Sequence, residues 1–160
     1  MKISYFIVLI LLISFSCQQK PTKQEGGNQN NPSTEVNYNC FNCGMGSQDF
    51  PKWHVKVNTS SEETWFCSPR CMFQALTDPK SPLKNIEHIH AKDFYELKDL
   101  DAKQAFYVIG SDVLGPMGND FVVLKDSLAA EDFKKDHQGA RILRFEEVNV
   151  NLLNQVLGKK

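Results

Sequence analysis

The chain has 160 residues, of which 18 are basic and 19 are acidic, so its formal net charge at pH 7 is −1. This balance excludes the large positive charge that proteins use to hold nucleic-acid phosphates, and the chain has no acidic tail. Charge therefore points to no class of macromolecular partner, and the positions of apolar and sulfur-containing residues carry more information.

The first 16 residues have the pattern of a signal peptide. Lys2 precedes an apolar run at residues 3–15, which is shorter than the roughly 20 residues of a membrane-spanning helix. The run leads into Ser16-Cys17, and this placement of a cysteine resembles a bacterial lipobox. The resemblance implies cleavage before Cys17, acylation of its thiol, and a lipid-anchored protein of the bacterial cell envelope that faces the periplasm. The alternative is an ordinary secretory signal, which would leave Cys17 as a free thiol.

Residues 17–37 are predicted to be a lipidated N-terminus and flexible tether. They consist almost entirely of Gln, Lys, Pro, Thr, Gly, Asn, Ser and Glu, and this composition cannot bury enough apolar surface to offset the chain entropy lost on folding. The aromatic-rich remainder, residues 38–158, is long enough to form its own core. We expect one domain built from two small halves, at about residues 38–100 and 101–158.

The first half is predicted to fold as two strands, a helix and a third strand. Residues 53–57 alternate between apolar and polar, residues 64–66 are β-prone, and the turn-forming residues between them predict a hairpin. Ser68 and Pro69 are typical of the N-cap and the first position of a helix. Residues 86–90 would then supply the closing strand.

The second half repeats this order. Residues 105–109 and 120–124 are predicted as strands on either side of a Gly-rich loop, followed by a helix near residues 128–137 and a strand at residues 141–145. We therefore predict an α+β fold with a degenerate internal duplication, in which two similar ββαβ halves form mostly antiparallel sheets. The apolar spacing in residues 149–157 predicts a C-terminal helix that caps the sheet.

Two cysteine pairs, Cys40-x-x-Cys43 and Cys67-x-x-x-Cys71, are separated by the length of the predicted hairpin. Two such pairs are a common arrangement of metal ligands. Gly44 would let the first pair turn toward one centre, and Cys71 falls at the third helical position, where the helix dipole favours a thiolate. In an oxidising compartment the alternative is that the four cysteines form two stabilising disulfides.

Two methionines lie where core residues are uncommon. Met45 directly follows the first cysteine pair in a Cys-Gly-Met sequence, and Met117 lies in a Gly-Pro-Met-Gly loop. Thioether and thiolate sulfur select copper(I), whereas a closed four-thiolate site suits zinc(II), so the two methionines favour copper. Met72, in contrast, is expected to pack in the core. His88 and His90 would share one face of a strand, but nothing else in the sequence converges on them.

These motifs resemble the NosL family, the accessory lipoproteins of nitrous oxide reductase that act as copper(I) chaperones in the periplasm. The resemblance is carried by the lipobox, by Cys40-x-x-Cys43-Gly44-Met45, and by residues 105–111 together with Gly115-Pro-Met-Gly118. Residues 129–139 and 142–145 also look like the helix and closing strand of that family, so the resemblance covers residues 38–148. Cys67 and Cys71 look more like the strand-to-helix cysteine pair of small treble-clef metal modules of the TRASH and YHS kind, so we expect a treble-clef-like first half.

The resemblance implies a protein of denitrification that is not an enzyme. It would receive copper(I) from a copper-donating membrane complex or exporter and deliver it for assembly of the copper centres of nitrous oxide reductase, with no role for nucleic acid. The candidate metal ligands are sulfur atoms, from Cys40, Cys43, Met45, Cys67, Cys71 and Met117. The main alternative is a structural zinc(II) interaction module held by the four cysteines. A thiol-disulfide redox protein is a further alternative, which the sequence disfavours because Gly44-Met45-Gly46 is a poor helix start.

Overall fold

The computed structural model describes residues 36–158. The predicted signal peptide, Cys17 and nearly all of the predicted tether lie outside these residues. The described part contains seven strands and three α-helices, in the chain order β1 (Val55–Thr59), β2 (Glu63–Phe66), α1 (Pro69–Thr77), β3 (Ile86–Lys92), β4 (Asp99–Asp101), β5 (Phe106–Ile109), β6 (Val122–Leu124), α2 (Ser127–Asp136), β7 (Arg141–Arg144) and α3 (Val150–Val156). None of these three helices has the length and apolar character needed to cross a membrane.

The first half forms a four-stranded antiparallel sheet in the order β2-β1-β3-β4. Alternation along β1 buries Val55 and Val57 completely and turns Lys56 to the opposite face. On that face Lys56 lies between Trp65 of β2 and His90 of β3. The three-residue strand β4, which the sequence pattern did not predict, adds an edge beside β3.

The second half forms a three-stranded antiparallel sheet in the order β6-β5-β7. The first strand of this half again lies between its second and third strands, which is the arrangement of β2-β1-β3 in the first half. In both halves a helix connects the second strand to the third. The predicted α+β class and the duplication of a ββαβ unit are therefore confirmed.

The buried core joins the two halves. The ring of Phe73 in α1 packs against those of Tyr107, Phe121 and Phe145, at centroid distances of 5.3, 4.9 and 5.2 Å. The hydroxyl of Tyr107 donates a hydrogen bond of 2.6 Å to the carbonyl of Ala102, which satisfies this polar group inside the core. The first helix thus packs directly on residues of the second half, and it also carries Cys71 of the second cysteine pair.

The C-terminal helix is confirmed, with a difference in its main neighbour. The side chain of Asn149 caps α3 by accepting a hydrogen bond of 3.1 Å from the backbone N–H of Leu152. Leu152, Leu153 and Val156 are buried on one face. This face packs mainly against α1, so α3 covers a helix where the sequence analysis expected it to cap the sheet.

The start of α1 differs from its prediction in one respect. Ser68 occupies the N-cap and Pro69 the first helical position, as predicted, but the Ser68 hydroxyl makes no capping hydrogen bond. In its place, the carboxylate of Asp120 accepts the hydrogen bond from the backbone N–H of Arg70 at 2.8 Å. The corresponding helix of the second half, α2, is capped in the usual way by the residue at its own N-cap, Asp126.

Candidate metal centre

The first cysteine pair lies in a tight turn before β1. The backbone N–H of Cys40 donates to the carbonyl of Met45 at 2.7 Å, and the N–H of Gly44 donates to the carbonyl of Cys40 at 2.8 Å. Gly44 has a φ of +79°, a left-handed conformation that glycine adopts without steric cost. The turn therefore directs the two thiols of the pair toward one centre, as predicted.

The second cysteine pair is brought to the first by the β1–β2 hairpin. Cys67 directly follows β2 and Cys71 is the third residue of α1. All four sulfur atoms lie within 4.8 Å of one another, and the Sγ of Cys67 is 3.5 Å from that of Cys43 and 3.6 Å from that of Cys71. Tetrahedral coordination with metal–sulfur bonds of about 2.3 Å requires sulfur–sulfur distances of roughly 3.8 Å. Turn, hairpin and helix thus form a treble clef whose four thiols suit one metal ion.

The four cysteines are free thiols, and the cluster has a closed side and an open side. Cys40, Cys67 and Cys71 are at most 2% exposed, whereas Cys43 is partly exposed. The distances of 3.5 Å between the sulfur atoms of Cys43 and Cys67 and 3.6 Å between those of Cys67 and Cys71 are far longer than the bond of about 2.05 Å in a disulfide. The arrangement is therefore that of reduced ligands around one point, with Cys43 on the side that solvent reaches.

Hydrogen bonding within the cluster favours the thiolate form of Cys40 in the metal-free protein. Hydrogen bonds from the thiols of Cys67 and Cys71, helped by the backbone N–H groups of Cys67 and Cys43, lower the pKa of Cys40 although burial opposes this. The same hydrogen bonding with Cys40, together with burial, raises the pKa of Cys67 and the pKa of Cys71. Metal binding must therefore displace protons, because thiolate is the form that ligates a metal.

Of the two predicted thioethers, Met117 contacts this cluster. Its Sδ lies 3.7 Å from the Sγ of Cys71, and 42% of the residue is exposed. Gly115 and Gly118 exchange backbone hydrogen bonds and so close the loop that carries Met117. The side chain of Met45 is half-buried against the main core, which includes the buried cysteines Cys40, Cys67 and Cys71.

Two charged residues that the sequence analysis did not select support the loop of residues 115–118 that carries Met117, the methionine loop. The guanidinium of Arg70 donates hydrogen bonds to the carbonyls of Met117 and Asn119, at 2.5 and 3.2 Å. The carboxylate of Asp120, which is only 4% exposed, accepts from the backbone N–H groups of Arg70 and Phe121 at 2.8 and 2.9 Å. The signal in the sequence is proximity, since Arg70 adjoins a cysteine and Asp120 directly follows the Gly-Pro-Met-Gly loop and Asn119.

The buried carboxylate of Asp120 should make the stability of the fold depend on pH. Burial raises the pKa of Asp120 to about 6, although the Ser68 hydroxyl and the amides of Phe121 and Arg70 lower it. The folded state therefore binds this proton more tightly than the unfolded chain does, and the stabilisation that protonation provides is lost as pH rises through the folded pKa. Between about pH 4.5 and about pH 7.5, this group should lower the free energy of unfolding by roughly 2 kcal/mol.

We expect Asp120→Asn to remove this contribution, because the amide keeps an acceptor oxygen for Arg70 but does not titrate. The measurement is urea unfolding of the metal-free, reduced protein at both pH values, for the variant and the original chain. All other titrating groups are common to both proteins, so their effect cancels in the comparison. An equal change in unfolding free energy between the two pH values in both proteins would contradict the prediction.

The four histidines lie outside the cysteine cluster in the described part of the chain. His88 and His90 share one face of β3 with their ring centroids 6.1 Å apart, as their spacing predicted. His54 and His137 pack against aromatic rings. Met72 is fully buried, which confirms its predicted place in the core.

Comparison with known proteins assigns the chain to a family. The NosL family model matches residues 33–153, which is well over half of the chain. The copper-binding lipoprotein NosL of Stutzerimonas stutzeri is 29% identical over 123 residues, a match that covers 72% of this chain and 64% of the length of that relative. The crystal structure of the copper chaperone NosL from Shewanella denitrificans has a TM-score of 0.65 and 25% sequence identity, covering 73% of this chain and 93% of that one. Since the family model spans both cysteine pairs and the methionine loop, this chain belongs to the NosL family.

Proposed function

We propose that this protein is a copper(I) chaperone, which binds its cargo through cysteine and methionine sulfur and catalyses no reaction. The observation that carries the proposal is the 3.7 Å contact between the thiol of Cys71 and the thioether of Met117. It adds a thioether to a pocket of four thiols, and thioether sulfur is a ligand typical of copper(I) and not of zinc(II). The proposed ligands are sulfur atoms, from Cys40, Cys43, Cys67, Cys71 and Met117, with Met45 in the adjoining turn as a further candidate.

The different exposure of these ligands supports a route for exchange of the ion. Cys43 and Met117 are reachable from solvent, whereas Cys40, Cys67 and Cys71 are buried. A soft ligand of a partner protein would replace the outer sulfur atoms one at a time while the buried thiolates still hold copper(I). Transfer of this kind requires contact between the two proteins and releases no free ion.

We further propose that Cys17 carries a lipid anchor on a membrane of the cell envelope, with the domain facing the periplasm. The support is the lipobox-like end of the apolar run and the name of the Stutzerimonas relative, which is a copper-binding lipoprotein. Two or more acyl chains hold a protein stably on a membrane, and residues 18–37 would give the domain reach. The proposed donor is a membrane complex or exporter, and the proposed acceptor is nitrous oxide reductase, both from the family resemblance.

A structural zinc(II) module is the second candidate function, and the treble clef itself favours it. Four sulfur atoms within 4.8 Å of one another match the closed four-cysteine sites that zinc(II) prefers. Under this alternative the thioether of Met117 is dispensable and zinc(II) outcompetes copper(I). The two functions therefore predict different effects on copper(I) affinity when the thioether of Met117 is removed.

Copper(I) affinity should fall about tenfold or more in Met117→Leu, while zinc(II) affinity stays unchanged. Leucine keeps the size and apolar character of the side chain and removes its sulfur ligand. The measurement is a competition titration with a chromophoric copper(I) ligand, on the reduced chain from Gln18 to Lys160 without oxygen, with a matching zinc(II) titration. Met45→Leu, in the same assay, tests the second thioether.

Met72→Leu is the matched control, because it makes the same substitution at a fully buried methionine beside Cys71 that contributes no ligand. Its copper(I) affinity should equal that of the original chain. If copper(I) affinity is unchanged in both Met117→Leu and Met45→Leu, or if zinc(II) displaces copper(I) from the original chain, the copper proposal fails and the structural zinc alternative takes its place.

A further inference from the structure

We propose that Arg70, fixed by Asp120, is a positioning residue that holds the thioether of Met117 against the cysteine cluster and so sets the preference of the centre for copper(I). This inference rests on the proposed function, because it concerns the thioether that distinguishes a copper(I) site from a zinc(II) site. Arg70 supplies no ligand in this scheme. It determines whether a ligand carried by the other half of the protein reaches the ion.

The first step of the argument is where Arg70 lies. It is the second residue of α1 and is directly followed by Cys71, so its backbone moves with the cysteine cluster. Its side chain reaches the other half of the protein, where the guanidinium donates hydrogen bonds to the carbonyls of Met117 and Asn119. Hydrogen bonds from a charged, planar guanidinium are strong and directional. One residue therefore ties the backbone on both sides of Gly118 to the start of α1.

The second step is a hydrogen bond that holds the backbone of Arg70 in place. The carboxylate of Asp120 accepts a hydrogen bond from the backbone N–H of Arg70 at 2.8 Å, and it lies one residue beyond Asn119. The carboxylate of Asp120 also lies close to the backbone of Gly115, where only glycine fits, because a Cβ at that position would lie 2.5 Å from the Oδ2 of Asp120. The side chain of Arg70 thus reaches from α1 to the backbone of the methionine loop, and the side chain of Asp120 reaches from just beyond the end of that loop to the backbone of α1.

The third step is what these contacts do to the sulfur atom. The bonds between Gly115 and Gly118 close the loop on itself but do not join it to α1. Leu114 is 61% exposed and Met117 is 42% exposed, so burial contributes little to holding the tip of the loop in place. The hydrogen bonds of Arg70 and Asp120 therefore maintain the 3.7 Å distance between the sulfur atoms of Met117 and Cys71.

The test uses Arg70→Gln, which removes the guanidinium, with two separate measurements on the chain from Gln18 to Lys160. Beyond Met1 the methionines are Met45, Met72 and Met117, so ¹³C-methyl labelling of methionine gives a spectrum of three assignable signals. In the metal-free protein the Met117 signal should shift and sharpen in Arg70→Gln, while the Met72 signal stays in place. With metal, copper(I) affinity should fall about tenfold and zinc(II) affinity should not change.

A double-mutant cycle shows whether Arg70 acts through Met117. If it does, Arg70→Gln combined with Met117→Leu should bind copper(I) no more weakly than Met117→Leu alone, because the thioether is already absent. Losses that add in the double variant, or a Met117 methyl signal unchanged by Arg70→Gln, would overturn the proposal. Arg141→Gln is the matched control, since Arg141 is exposed and belongs to β7 in the other half.

Arg70→Lys keeps the positive charge and N–H donors on one nitrogen, and it provides the conservative variant if the glutamine substitution disturbs the fold. It should move the Met117 methyl signal in the same direction but less far, because the ammonium nitrogen lies one bond closer to the backbone than the guanidinium nitrogen that donates to the carbonyls of Met117 and Asn119. A signal at its original position in this variant would show that the loop does not need hydrogen bonds from that nitrogen position, and would reject the positioning role. The methyl measurement needs no metal, so failure of the copper proposal would be seen in the titrations alone.

Discussion

Replacing Cys67 by serine is expected to lower the affinity for both copper(I) and zinc(II) by at least about a hundredfold. Cys67 is fully buried, and its sulfur lies 3.5 and 3.6 Å from those of Cys43 and Cys71, so it is central to the cluster. Loss of an outer partner of a metal ligand already costs about 10- to 100-fold, and here a ligand itself is lost. A serine hydroxyl is a hard oxygen donor, which a soft ion binds poorly. Competition titrations without oxygen give both affinities.

The same substitution at Cys43 provides an internal comparison for this prediction. Cys43 lies on the open side of the cluster, where water or a partner ligand can take its place, so Cys43→Ser should lose less affinity than Cys67→Ser. Circular dichroism of each metal-free variant checks that the fold is retained. A folded Cys67→Ser protein with the original affinity for both metals would show that the four cysteines are not the metal centre.

Phe73→Ala is expected to lower the free energy of unfolding by about 3–5 kcal/mol, which is a large part of the stability of a small domain. The ring of Phe73 is 2% exposed and packs against three aromatic rings of the second half, those of Tyr107, Phe121 and Phe145. Its removal leaves a cavity at the place where the two halves meet. Urea unfolding of the metal-free, reduced protein measures the loss.

Leu128→Ala is the control for this second prediction, because Leu128 is 67% exposed at the start of α2. Its effect on the free energy of unfolding should stay within about 0.5 kcal/mol. A loss below about 1 kcal/mol in Phe73→Ala would mean that the halves do not depend on this contact for stability. If unfolding of Phe73→Ala showed two separate transitions, each half would be shown to fold by itself.

The two similar halves differ at the start of their helices. In the second half Asp126 caps α2 from its own N-cap position. In the first half the carboxylate that accepts a hydrogen bond from the start of α1 is that of Asp120, which lies in the second half of the chain. The second cysteine pair lies at the junction of β2 and α1, so the half with the thiols is completed by the half with the methionine loop. The candidate metal centre is therefore a property of both halves together.

The order of the elements could be predicted because its causes are local. Strand alternation, turn residues and cap residues act over a few positions, and they identified the two ββαβ units and the C-terminal helix correctly. The strand β4 was missed because Asp99 and Asp101 are exposed acidic residues in a three-residue segment, which has neither the length nor the apolar alternation of a typical strand. The N-cap position of Ser68 was predicted correctly, but the acceptor of the hydrogen bond from the backbone N–H of Arg70 was not predicted, because Asp120 lies 50 positions away along the chain.

By itself, the sequence determined which sulfur-containing residues are the candidate metal ligands. Each cysteine pair is closely spaced, and the turn at Gly44 and the start of α1 are local structures, so the spacing alone predicts two ligand pairs. Only the tertiary structure decided that the pairs form one cluster and that the thioether of Met117 contacts it through Cys71. Contacts between α1 and the methionine loop join residues 46 to 50 positions apart. The packing of the two halves, which no local pattern encodes, determines which residues meet at such separations.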